Sequence, residues 1–83
     1  MNCLFYNGLT PMRGRGLYAN AYFPVGTTLF QMTDSKGVLT PMGALVHNSR
    51  LANIICRQAA DGLYAIAAVP IYPGRQILFN FKN

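Results

Sequence analysis

The stretch Asp61-Gly62-Leu63-Tyr64-Ala65-Ile66-Ala67-Ala68-Val69-Pro70-Ile71-Tyr72-Pro73-Gly74-Arg75-Gln76-Ile77-Leu78-Phe79-Asn80-Phe81 decides the fold. Asp61-Gly62 is a hairpin signal, because glycine accepts the positive φ that a tight turn needs. Leu63 to Val69 then reads as a strand, Tyr72-Pro73-Gly74 as a turn, and Gln76 to Phe81 as a second strand. An earlier segment echoes this one. Ala19-Asn20-Ala21-Tyr22-Phe23-Pro24-Val25-Gly26 has the order of Ala67-Ala68-Val69-Pro70-Ile71-Tyr72-Pro73-Gly74: a strand, an apolar anchor, a short approach, and a glycine turn into the next strand. The echo is too short for a solenoid and reads as two similar hairpin units on one core.

Working outward, Met1 to Tyr6 reads as a strand and Asn7-Gly8 as a turn. Thr27 to Met32 reads as a strand with Leu29 and Phe30 as core candidates, and Asp34 to Gly37 as a polar turn. Met42, Leu45 and Val46 have helical spacing, so Pro41 to Ile55 is expected to hold a short helix or turn. No 3.6-residue period persists. The expected class is therefore mainly β, a single domain over 1–83 built of short strands and hairpins with little helix.

Of the 83 residues, 52% are hydrophobic and only 11% charged, against the roughly 25% charged share of ordinary chains. Such a chain is too apolar to be a disordered tail. It is also too short for two domains. A core of this size is marginal, which makes dimerisation a reasonable expectation. The longest apolar run, Leu63 to Tyr72, contains Pro70 and falls short of the ~18 residues of a membrane span. No basic leader followed by an apolar stretch opens the sequence, so an intracellular location, cytoplasm or nucleus, is expected. Cys3 and Cys56 do not form a disulfide framework and read as two buried thiols, with a single disulfide between them as the alternative. One histidine gives no zinc site.

The basic residues raise a nucleic-acid reading, since the net charge is +5. Arg13 and Arg15 flank Gly14, and Tyr18, Tyr22 and Phe23 follow, a mixture that small β surfaces use for single strands. The other cations are scattered, and aromatics more often fill a core than bind bases. A Ser–His–acid arrangement would need His47 with Asp34 or Asp61 and Ser35 or Ser49, but no G-x-S-x-G motif supports it. Met12, Met32 and Met42 read as core fillers, and Tyr64 as a cross-strand aromatic.

Three segments in order resemble the SET domain, the fold of many S-adenosylmethionine-dependent protein-lysine methyltransferases. Gly14-Arg15-Gly16-Leu17-Tyr18-Ala19, with Phe23-Pro24-Val25-Gly26, resembles the family's G-x-G-[VL]-[FY]-A strand and its turn. His47-Asn48-Ser49-Arg50-Leu51-Ala52-Asn53 resembles N-H-S-x-x-P-N, with the first two residues exchanged and Ala52 in place of proline. Ala67 through Phe81 resembles A-x-x-x-I-x-x-G-E-E-[LI]-x-[YF]-x-Y. The resemblance implies a β-clip of small sheets in which the second and third motifs cross. It implies S-adenosylmethionine bound by Arg15, Gly16, Leu17, His47 and Asn48, and a lysine-bearing protein as substrate. Phe79 is implied at the substrate, and Phe81 at the place of the family's catalytic tyrosine.

The departures have chemical meaning. Phe81 and Phe79 carry no hydroxyl, and Arg75 and Gln76 stand where the family has paired acids. The segment Thr33 to Met42 is short where the family places a cleft wall, which a second subunit would have to supply. Three readings stay open on the sequence. The first is a minimal methyltransferase, weakly active or completed by dimerisation. The second is a SET-like binding or structural module without catalysis. The third is a small basic β protein that binds nucleic acid.

Overall fold

The computed structural model describes residues 4–11 and 14–81. Met1, Asn2, Cys3, Met12, Arg13, Lys82 and Asn83 lie outside the described residues, and with them the expectations placed on Cys3, Met12 and Arg13. The chain is mainly β. Its strands are β1 (Phe5–Thr10), β2 (Gly14–Ala19), β3 (Thr28–Gln31), β4 (His47–Asn48), β5 (Ile54–Ala59), β6 (Gly62–Ala67) and β7 (Leu78–Phe79). The short helix expected between Pro41 and Ile55 reduces to a single 3-10 turn, Gly43–Leu45. Three spaced apolar residues cannot sustain a longer helix, whose nucleus is costly.

β1 and β2 form an antiparallel hairpin; β3, β6 and β5 form a three-stranded antiparallel sheet in that order; β4 and β7 pair in parallel. Asn7-Gly8 is not a turn, contrary to expectation. It lies inside β1, with Asn7 opposite Leu17 and Gly8 opposite Gly16. The reason is packing: the Tyr18 ring covers Gly8, and a Cβ there would sit 2.9 Å from it. Tyr18 also stacks on Tyr6, with centroids 5.4 Å apart, so glycine across from an aromatic outweighs the turn preference.

The sequence echo becomes an approximate two-fold. Ala19 corresponds to Ala67, Phe23 to Ile71 and Gly26 to Gly74. Phe23 and Ile71 exchange both backbone hydrogen bonds, at 2.8 and 2.9 Å, so the two units pair with each other through their anchors. Around this bridge the bonds come in related pairs. Gly26 N–H donates to the Ala67 carbonyl and Gly74 N–H to the Ala19 carbonyl, each at 2.8 Å. Ala67 N–H donates to Thr27 and Ala19 N–H to Arg75, at 2.9 and 2.8 Å. The Tyr18–Gln76 bridge corresponds to the Thr28–Ile66 pair of β3 and β6. Gly26 and Gly74 hold nearly the same backbone, φ 88° and 89°, a region that a side chain disfavours.

The core lies between the two units. Leu17, Ala19, Ala65, Ala67, Ile71 and Ile77 are buried, with Met32, Val46 and Ile54 closing the ends. The alanines let the ribbons approach closely, and Ile77 and Ile71 fill the space between them. Each fully buried isoleucine contributes about 1.5–3 kcal/mol relative to exposure. Leu29 and Phe30 pack against this core half-buried, as does Met42. Phe5 stacks on Phe23 at 5.1 Å and meets Phe30 edge-on at 5.2 Å.

Candidate functional site

The two-fold is broken at one place, and the residues singled out from the sequence gather there. Among the described residues, β4 and the loop to Asn53 have no counterpart against β3 in the first unit. They lie along β7, with His47 opposite Leu78 and Asn48 opposite Phe79. Ser49 N–H donates to the Phe79 carbonyl at 3.1 Å, and Asn53 N–H to the Leu78 carbonyl at 3.0 Å. Ser49 Oγ turns the loop by accepting Leu51 N–H at 3.0 Å. On the other side, Ile77 N–H donates to the Leu17 carbonyl at 2.8 Å. The C-terminal segment therefore runs between β2 and the 47–53 loop, and each holds it by backbone hydrogen bonds.

Side chains complete the joint. The Asn53 amide acts as a short strand of its own: Nδ2 donates to the Gln76 carbonyl at 2.8 Å and Oδ1 accepts Leu78 N–H at 2.9 Å. Asn48 Oδ1 accepts Phe81 N–H at 2.8 Å. His47 Nε2 lies 2.7 Å from the Arg15 carbonyl oxygen, which ties β4 to β2. Phe79 and Phe81 meet edge-to-face with centroids 4.9 Å apart; Phe79 is half-buried and Phe81 exposed.

Arg15, His47, Asn48, Phe79 and Phe81 thus fall in one contiguous region. Gly16 and Leu17 are placed differently. The Leu17 side chain is a core residue, 3% exposed, and only its carbonyl takes part in the joint. Gly16 is buried under the Gln76 amide, whose Nε2 would lie 2.7 Å from a Cβ there. That Nε2 is buried without a hydrogen-bond partner. An unmet buried donor costs about 1–3 kcal/mol. Asn53 and Gln76 belong to the site but were not among its expected members. Asn53 stands at the end of the second motif, which is the signal that points to it; Gln76 stands in the third motif only as a departure from its paired acids.

The hydrolytic arrangement does not form. Asp34 Oδ1 accepts the Lys36 and Val38 amides at 2.8 and 3.0 Å, and Asp61 Oδ2 accepts the Tyr64 hydroxyl at 2.8 Å. Both acids serve their own turns while His47 serves Arg15. The residues of the nucleic-acid reading are also dispersed. Phe23 is a core residue, Tyr18 stacks on Tyr6, and Tyr22 pairs with Tyr72 at 5.1 Å. Arg15 Nη1 reaches Asn7 Oδ1 at 3.5 Å.

Burial raises the Cys56 thiol pKa above its ordinary 9.0, so this free, half-buried thiol is a poor nucleophile. Among the described residues no group of three or more His, Cys, Asp or Glu could hold a metal ion. No described helix is long and apolar enough to cross a membrane. Compared with protein-family models and with curated proteins, the chain matches none.

Proposed function

We propose that the chain is a compact SET-like domain acting in S-adenosylmethionine-dependent methyl transfer to the lysine amine of a protein. The observation that supports this reading is the meeting of three separate segments at one joint: the G-x-G strand through Arg15 and Leu17, the His-Asn segment through His47 and Asn48, and the C-terminal aromatics Phe79 and Phe81. When bound, S-adenosylmethionine supplies a methyl group on a positively charged sulfur. Displacement at that methyl depends on alignment and a dry path more than on acid or base. His47 and Asn53 fix the relative position of the strands, and the Phe79 and Phe81 rings offer an apolar wall. Arg15, His47 and Asn48 would hold the cofactor. The fit is by residue type at these three, and poor at Gly16, where Gln76 fills the space. A dimer would supply the cleft wall that the short 33–42 segment does not build. An intracellular location belongs to the same proposal.

A second reading is a SET-like module that binds without catalysis. It is favoured by the missing hydroxyls at Phe79 and Phe81, and by the use of the Arg15 carbonyl and Asn48 Oδ1 in holding the chain to itself.

Calorimetric titration with S-adenosylmethionine, with a thermal shift alongside, tests both, because a ligand of the native state raises its stability. Heat and a shift followed by labelled-methyl transfer to lysine-rich peptides support the first reading. Binding without transfer supports the second. No heat and no shift at millimolar cofactor removes the methyltransferase proposal.

A further inference from the structure

A groove of about 500 Å³ runs between the 51–53 loop and the Val69–Gln76 turn. Asn53 and Gln76 of the joint line it too, but Leu51, Val69, Tyr72 and Arg75 take no part in the methyltransferase reading. Its rim carries three large apolar side chains open to solvent, Leu51 at 83%, Tyr72 at 56% and Val69 at 46% exposure. Pro70 and Leu78 extend the apolar lining, and Tyr22, paired with Tyr72 at 5.1 Å, widens the aromatic shoulder. Large apolar side chains gathered at one groove, unlike ones scattered singly over a surface, suit an interaction site.

The charge at the groove selects the partner. Among the described residues, Arg75 is the one charged residue of the lining. The chain has only two acids, and they sit in neighbouring turns elsewhere: Gly62, next to Asp61, packs against the Asp34 backbone. Both carboxylates are engaged within those turns. A second copy of this chain therefore brings a like charge of +5 and only two carboxylates, each already accepting hydrogen bonds in its own turn. A nucleic-acid strand needs a row of cations along its backbone, and among the described residues this groove offers Arg75 alone.

We propose that this groove is a docking surface for a short acidic segment of a partner protein, which seats an apolar side chain among Leu51, Val69 and Tyr72 and sets a carboxylate against Arg75. The proposal is independent of the methyltransferase reading.

A displayed library of random twelve-residue peptides, panned against the whole chain, tests it. Enriched peptides are expected to carry an apolar residue with Asp or Glu within a few positions of it. Synthetic copies are expected to lose about tenfold or more in affinity on Arg75→Glu and on Leu51→Asp. Thermal melts of both variants confirm folding, and amide shifts in the wild type on adding peptide should concentrate at 51–53 and 69–76. Enrichment of basic peptides, no enrichment, or peptides that bind both variants unchanged overturns the proposal. So does an oligothymidine that binds the wild type and is lost on Arg75→Glu, or self-association in sedimentation that is lost on Leu51→Asp.

Discussion

His47 Nε2 lies 2.7 Å from the carbonyl oxygen of Arg15, and this single bond joins two segments far apart in sequence. A carbonyl only accepts, so Nε2 must carry the proton. Long-range proton–nitrogen NMR should therefore show the ring protonated at Nε2. His47→Ala should lower stability by about 1 kcal/mol, which in a domain this small moves the melting temperature by roughly 4–8 °C. A ring found with Nε2 unprotonated, or a variant that melts with the wild type, would falsify the bond.

Asn53 should matter more than His47. Its amide serves both a donor and an acceptor of the C-terminal segment in a half-buried place. Asn53→Ala leaves the Gln76 carbonyl and the Leu78 amide unmet, at a cost of about 2–4 kcal/mol. Asn53→Asp keeps the acceptor for Leu78 but sets a charge against the Gln76 carbonyl, so it should also destabilise. Urea denaturation measures both. An alanine variant as stable as the wild type would mean that the joint is held by the backbone alone.

The β class and most turns were legible because local chemistry fixes them. Pro24-Val25-Gly26 and Tyr72-Pro73-Gly74 admit little but a turn, and glycine follows in each at positive φ. The echo of 19–26 in 67–74 was also visible, but not its consequence: that Phe23 and Ile71 bond to each other is a long-range fact that no window of sequence contains. Asn7-Gly8 misled for the same reason, since the Tyr18 ring that holds Gly8 in a strand comes from across the hairpin. Of the site, the types Arg15, His47, Asn48, Phe79 and Phe81 could be read from motif order. The burial of Leu17 and the stranded Gln76 amide arise only from packing.

Gly43 gives a steric prediction free of backbone strain. Its φ is not positive, yet a Cβ there would run into the Met32 carbonyl oxygen, which already accepts Thr40 N–H at 2.9 Å. Backbone cannot yield as a side-chain end can. Gly43→Ala should therefore cost about 3 kcal/mol or more, enough to unfold much of a marginal domain. Circular dichroism melts decide it, and a variant within a degree of the wild type would show that the Gly43–Leu45 turn can move away from Met32.

Phe81→Tyr restores the hydroxyl that the resemblance expects. The ring is 45% exposed, so the change should alter stability by no more than about 0.5 kcal/mol. If Phe81 stands at the methyl-transfer path, one added hydrogen bond in the transition state should raise the rate about tenfold, read as labelled-methyl incorporation in a single turnover. Unchanged transfer with unchanged cofactor binding places residue 81 outside the site.

Tyr64 yields a pH prediction. Its hydroxyl donates to Asp61 Oδ2 at 2.8 Å, and its pKa stands above the ordinary 10.0, first through that hydrogen bond, then through burial and the Asp61 charge. Each favours the neutral phenol. A folded-state pKa above the unfolded one stabilises fully below the unfolded value, and the contribution is lost as pH rises through the folded one. The bond should thus support the β5–β6 hairpin at neutral pH and fail only in strong alkali. The chain has five tyrosines, so the tyrosinate absorbance of Tyr64→Phe is subtracted from that of the wild type to isolate this one. Asp61→Asn keeps an acceptor but removes the charge, and the isolated midpoint should fall toward the ordinary value. A midpoint that does not move on that substitution would mean that the raised pKa owes nothing to the Asp61 charge.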